Sequence, residues 1–274
     1  MNMSLFKKII RKTLFISGLL LPAAYLQAQT QSEIDAALAS IKSMPPAQVE
    51  AMLKMAMNTM PADKRGDMED ALKLMKASKP ETKTIQWKKK TIVFVPIAHA
   101  STPEFYASVK SIVSDYKAKG YTVFFEQLKR AETNRPRPVT DTVSLKLRKL
   151  VGLEPSRQTY AVLKNFFPDI VPQPEYEALG VTKSDLNADV TVEQLVQHYE
   201  KLYGTINLTA CDFDVNKTSL LYNCDKLNND IEPVILDYRN ENVAGLLKSS
   251  KTDKILVIYG AKHVPGIIKL LSAG

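Results

Sequence analysis

The chain has 274 residues, enough to bury one substantial core or a core with a small appendage, and its apolar and charged content is ordinary for a globular protein. The formal charge is +8, but four of the basic residues lie in the first 28, and without that stretch it falls to +4. No dense basic patch and no interleaving of aromatic and basic residues remains, which excludes a nucleic-acid partner.

Lys7, Lys8, Arg11 and Lys12 precede an apolar run of 14 residues from Thr13 to Leu26, and Leu26-Gln27-Ala28 has the small-residue form of a cleavage site. The pattern predicts a Sec signal peptide over 1–28, cut after Ala28. The run is shorter than the roughly 20 apolar residues that span a bilayer, so no stable membrane anchor is expected after cleavage. No cysteine lies near the cut, which excludes a lipoprotein. The expectation is a periplasmic or secreted protein.

Residues 29–76 read as a small helical segment, with breaks at Pro45-Pro46 and Pro61. Leu53 and Met57 stand at i, i+4, and Met52, Met55 and Met60 widen the apolar face. All seven methionines beyond the signal peptide fall between Met44 and Met75, so this face is a helical cap on the main domain or an adaptable surface beside a site. Residues 77–90, containing KPETK and WKKK, read as a polar linker with Trp87 docked against the core domain.

From Thr91 the pattern is β-α-β. The apolar run Thr91 to Ile97 ends just before His99, a helix is predicted from about Thr102 to Lys119 with Gly120 as its stop, and a second run, Tyr121 to Phe125, ends on Glu126. A right-handed crossover makes the two strands parallel, with His99 and Glu126 on one sheet edge. Residues 129–142 form a Pro-containing loop, and helical stretches follow to about Val171, including RQTYAVLKNFF. Asp185 to Val190 leads into a helix capped by Thr191, in which His198 has a packing or surface role. Cys211 and Cys224 lie close together in a polar stretch of an exported chain, so a disulfide is expected; no CxxC pair or nearby histidine completes a metal site there. In DYRNENVAGLL, Arg239 stands at a helix start with Asn240 as its N-cap. Finally Ile255 to Tyr259 is a β-branched-rich run with the character of a strand covered on both faces; Gly260 turns the backbone tightly and His263 follows.

Three apolar runs thus each deliver an ionisable side chain at the strand end, the edge at which open α/β sheets bind ligands. Two imidazoles and a carboxylate can hold a divalent ion or carry out acid–base chemistry, and an arginine adds a fixed charge for a carboxylate or oxyanion. The sequence at this point resembles the TraB/PrgY/GumN family, related more distantly to the TIKI metalloproteases and the erythromycin esterases. GAKHVPG (Gly260 to Gly266) is similar to the family's C-terminal GxxH followed by a small residue and glycine, YRNENVAGLL to its Arg-Asn helix, and FFEQL to its glutamate strand. NADVTVEQL, with Asp189, is similar to its Ala-Asp segment, whereas PIAH at Pro96 to His99 has proline where the family has glycine.

The resemblance covers about Thr91 to Gly274. It implies a compact α/β fold over 91–274 with two related halves, mostly parallel strands with flanking helices, each half bringing one histidine to a shared site. It further implies a metal-dependent hydrolase of peptides or small esters with a divalent ion (Mn, Co or Zn). His99, His263 and Glu126 would be ligands, Glu126 a ligand or the general base, and Arg239 the transition-state clamp; Asp189, Asn240 and Gly260 are further candidates. A second reading is a non-catalytic binding protein that sequesters a peptide or a haem-like ligand in the same pocket, for which the adaptable Met-rich segment and Pro96 argue.

Overall fold

A computed structural model describes residues 44–273 apart from 133–140, 153–163, 165–166, 215–221, 223 and 226. The expected leader with its cut after Ala28 lies outside the described residues, as does most of the helical stretch expected over 157–167.

Two helices come first, α1 (Pro46–Asn58) and α2 (Ala62–Met75), each starting directly after a proline that fixes an extended entry, as the breaks in the sequence predict. The stretch expected as a linker instead contains a strand, β1 (Lys83–Trp87), which turns through Lys88 and Lys89 into β2 (Lys90–Ile97) as an antiparallel edge hairpin. Ile85 and Trp87, two residues apart, turn the same face inward onto the core while their neighbours face solvent. A short strand β3 (Ala100–Ser101) and helix α3 (Pro103–Ala118) follow, the helix capped by the Thr102 hydroxyl, which accepts from Phe105 N at 3.1 Å. Gly120, at φ +80°, ends it in the left-handed conformation that suits glycine. Next come β4 (Thr122–Phe125), α4 (Thr142–Val151), β5 (Val171–Pro172), a 3₁₀ turn (Tyr176–Leu179) and β6 (Leu186–Asn187). Helix α5 (Val192–Tyr203) carries a reciprocal capping box between Thr191 and Gln194, and the short α6 (Ala210–Asp214) precedes a wide turn (Pro233–Asp237) that runs without a break into α7 (Tyr238–Ser249). Strand β7 (Lys254–Gly260) and helix α8 (His263–Ser272) close the chain.

The main sheet has five strands in the order β1-β2-β7-β4-β6, parallel except for β1. The last strand is therefore inserted between β2 and β4, so the two strands of the β-α-β unit are parallel members of one sheet but not neighbours. Alternation on the central strands explains the two covered faces. Val93, Val95, Ile97, Leu256 and Ile258 point to α3 and its Phe105, Val109 and Val113, whereas Ile92, Phe94, Ile255, Val257 and Tyr259 point to α7 and α8. A mixed α/β fold with helices on both sides of the sheet is what the unbroken apolar runs require.

The pair Cys211–Cys224 is a disulfide with a Cα–Cα distance of 5.8 Å. Beside it the buried Asp212 accepts from Lys149 of α4 at 3.0 Å and from the Tyr222 hydroxyl, so the stapled segment is tied to α4 by charge. Among the described residues no helix is long and apolar enough to cross a membrane.

Because Leu256 is fully buried at the centre of the sheet, Leu256→Ala should cost about 2–5 kcal/mol in urea denaturation. Ile85→Ala on the edge strand should cost clearly less; equal losses would contradict the central position of β7.

Candidate active site

The parallel ladder puts the carboxyl ends of β2, β7, β4 and β6 on one edge. Each end continues the ladder for one more bond, which fixes the residues that follow: Ala261 N donates to Ile97 O at 3.0 Å, Glu126 N to Ile258 O at 3.1 Å, and Ala188 N to Phe125 O at 2.8 Å. His99, Glu126, Asp189, Gly260 and His263 are thereby gathered from four strand ends, and α7 brings Arg239 and Asn240 to them from one face.

Arg239 is the hub. Its Nε and Nη2 grip Asp189 at 2.9 and 2.7 Å in a bidentate pair, Nη2 also donates to Glu126 Oε1 at 2.5 Å, and Nη1 lies 3.2 Å from His263 Nε2. The side chains of Asp189, Glu126 and Arg239 are 0%, 4% and 9% exposed. Burial opposes the guanidinium's charge, but Asp189 and Glu126 outweigh it and hold Arg239 firmly protonated. For Glu126, burial likewise opposes ionisation; the charge of Arg239, then the two histidines and the Gly260 N–H, reverse this and bring the carboxyl down to about 2.

His263 is the first residue of α8. Its Nδ1 is 2.8 Å from Asn240 Oδ1, and because a guanidinium can only donate, Nε2 is the acceptor and Nδ1 carries the proton. The ring is thus neutral; burial, followed by the adjacent Arg239, drops its pKa to about 3. Asn240 is not the helix N-cap that the sequence predicts. The wide turn from Pro233 continues into α7, so Asn240 lies inside a helix and its amide is available to fix the tautomer of His263.

The role of two glycines is also spatial. Gly260 is part of β7 and has no positive φ, so the expected tight turn is not its reason; a Cβ there would stand 2.9 Å from Glu126 Oε2, which accepts from Gly260 N at 2.5 Å. Gly266, recognised only as part of a motif, would with a Cβ come within 2.4 Å of Asn240 Nδ2.

His99 is the half-buried member. Its ring Nδ1 is 3.2 Å from Gln173 Oε1, and its carbonyl accepts from Gln173 N at 2.8 Å, a consequence of β3 pairing with β5. Gln173 is a contact without a signal in the sequence. His198, by contrast, lies apart from this cluster and stacks on Tyr238 with ring centroids 4.0 Å apart, the packing role expected of it.

The donor types suit a divalent ion, but the lone pairs are engaged: Glu126 Oε1 and His263 Nε2 face Arg239, and Glu126 Oε2 takes Gly260 N. Among the described residues no three His, Cys, Asp or Glu side chains are arranged to hold a metal. In this arrangement the residues do not fit one, because a guanidinium sits between the carboxylate and the imidazole.

Two predictions follow from the geometry. His263, neutral in the fold with a pKa near 3 but near 6.5 when unfolded, adds stability that is complete above pH 6.5 and is lost as pH falls toward 3. The extra proton uptake on unfolding should rise from about half a proton at pH 6.5 to close to one near pH 5, and His263→Gln should flatten that slope in urea melts. Gly266→Ala should push Asn240 off His263 and cost about 1–3 kcal/mol, with a clearly non-additive effect when combined with Asn240→Ala in a double-mutant cycle.

Scans against models of known families, curated proteins and solved structures return no match to this chain, so the family resemblance rests on the motifs alone.

Proposed function

We propose that the chain is an exported hydrolase of peptide or small ester bonds. The observation that carries this reading is the convergence of His99, Glu126, Asp189, Arg239 and His263 at the carboxyl ends of parallel strands, the edge on which α/β enzymes build their sites. The disulfide Cys211–Cys224 supports export to the periplasm or beyond. The two strand-to-histidine units at His99 and His263 support a fold of two related halves.

Arg239, held by two carboxylates, is a rigidly placed positive charge for the oxyanion that forms as a carbonyl is attacked. Glu126, expected as the base, has a pKa near 2 and accepts from Arg239, so it serves better as the anchor of the clamp than as a proton acceptor. His99 suits the base role. Its Nδ1–H donates to Gln173 Oε1, which orients the ring at the end of β2 and leaves Nε2 as the nitrogen with the lone pair. His263 stays neutral and helps to orient Arg239. The metal-dependent form of this reaction requires Arg239 to swing away first, so the reading is of hydrolysis that survives metal removal.

The test is a peptide- and ester-library screen on the mature protein, before and after dialysis against EDTA. His99→Gln and Arg239→Lys should each lower kcat by about 10² or more with the fold intact by circular dichroism. Activity abolished by EDTA and restored by Mn, Co or Zn would replace the arginine-centred reaction with the metal-dependent one. No turnover of any substrate would favour the sequestering protein for a peptide or haem-like ligand.

A further inference from the structure

We propose that the Tyr176 hydroxyl donates a hydrogen bond to an acceptor oxygen of the bound molecule, the substrate carbonyl and the oxyanion that it becomes. Tyr176 would then be a substrate-binding residue of the site above, and the inference rests on the hydrolase reading.

The side chain is 5% exposed and its hydroxyl is buried with no hydrogen-bond partner. Folded chains avoid this, because a buried hydroxyl gives up its bonds to water and must find a replacement. This chain makes the replacement elsewhere: Tyr106 donates to Ala98 O at 2.8 Å, and Tyr222 donates to Asp212. The position of Tyr176 is tightly fixed, so the unpaired hydroxyl is not a matter of a loose side chain. Its ring packs on Phe125, the residue before Glu126, with centroids 4.8 Å apart, and its carbonyl accepts from Val181 N at 3.0 Å at the close of the 3₁₀ turn.

The surroundings identify what the hydroxyl faces. After the effect of burial itself, the charge of Glu126 acts most strongly on the phenol, and Asp189 and Arg239 also reach it. Gln173 stands beside it and draws on the phenol oxygen without the geometry of a hydrogen bond, while its Oε1 is taken by His99. Tyr176 is therefore on the His99 side of the cluster, where the proposed base acts. The burial and the neighbouring carboxylate both hold the phenol protonated, which keeps it a donor. Tyr259 has a hydroxyl without a partner of hydrogen-bond geometry as well, but it is fully buried on the opposite face of the sheet, edge-on to His263 and with Asp189 beside its hydroxyl.

Tyr176→Phe in the full mature chain provides the test. Since the hydroxyl has no partner within the fold, Tm should stay the same or rise, in contrast to Tyr106→Phe, which loses a bond and should melt lower. On a substrate that wild type cleaves, kcat/KM should drop about 10- to 100-fold, mostly through kcat. A lower Tm for Tyr176→Phe would show that the hydroxyl serves the fold through an internal water only, and unchanged kcat/KM would also overturn the proposal. If wild type cleaves nothing, the hydrolase reading fails separately, and N-acetylglycine, which carries the carbonyl and carboxylate of a hydrolysis product, becomes the calorimetric probe. At least fivefold weaker binding to Tyr176→Phe would support the donor role, whereas equal affinity, or no binding to either protein, would overturn it.

Discussion

The bidentate grip of Asp189 on the Arg239 guanidinium, with Glu126 on its remaining side, is the constraint on which the rest of the site depends. A buried charge is costly, and an arginine almost removed from water is tolerable only because its donors are taken. Each partner belongs to a different element: Asp189 follows β6, Glu126 follows β4, and His263 opens α8 after β7. The guanidinium therefore acts as a tie across the carboxyl edge of the sheet from the helix α7. Its removal would leave two carboxylates in a dry pocket, which makes this edge a conditional structure, stable only when complete.

The N-terminal helices are attached to the same edge. Ser101 donates to Met75 O at 2.9 Å and Thr102 to Ala77 O at 3.1 Å, just past His99, while Lys262, just before His263, pairs with Asp67 at 2.9 Å. From Asp67 to Met75 an α-helix rises about 12 Å, so α2 bridges the two histidine loops. Met75 packs with Ala100 and Ile170 beneath it. Helix α2 thus lies over the carboxyl edge of the sheet, held at both histidine loops.

How much of this was legible follows from how local each signal is. The strand ends at His99, Glu126 and His263 could be read, because a continuous apolar run both predicts a covered strand and marks where it stops. That β7 lies between β2 and β4 could not, since strand order depends on packing choices that leave no mark in any one segment. Asn near a helix start is a good N-cap, and only the continuation of the turn from Pro233 moves Asn240 into the helix. In β1 the two-residue spacing of Ile85 and Trp87 was the signal, masked by the surrounding lysines that an edge strand carries toward solvent. Gln173 and Tyr176 have no periodicity that would distinguish them; their place is decided by the short β3–β5 pairing.

Charge balance ties the arginine to the base proposed beside it. Glu126 and Asp189 contribute two negative charges, Arg239 one positive, and His263 is neutral, so the buried cluster is left with one excess negative charge. That excess cannot be met by His263, whose imidazolium would face the guanidinium. It is felt at His99, which interacts electrostatically with Glu126. The same carboxylate thus holds Arg239 on one side and faces the two histidines on the other. This dual role needs Glu126 to remain ionised, and the pairing with Arg239 keeps it so.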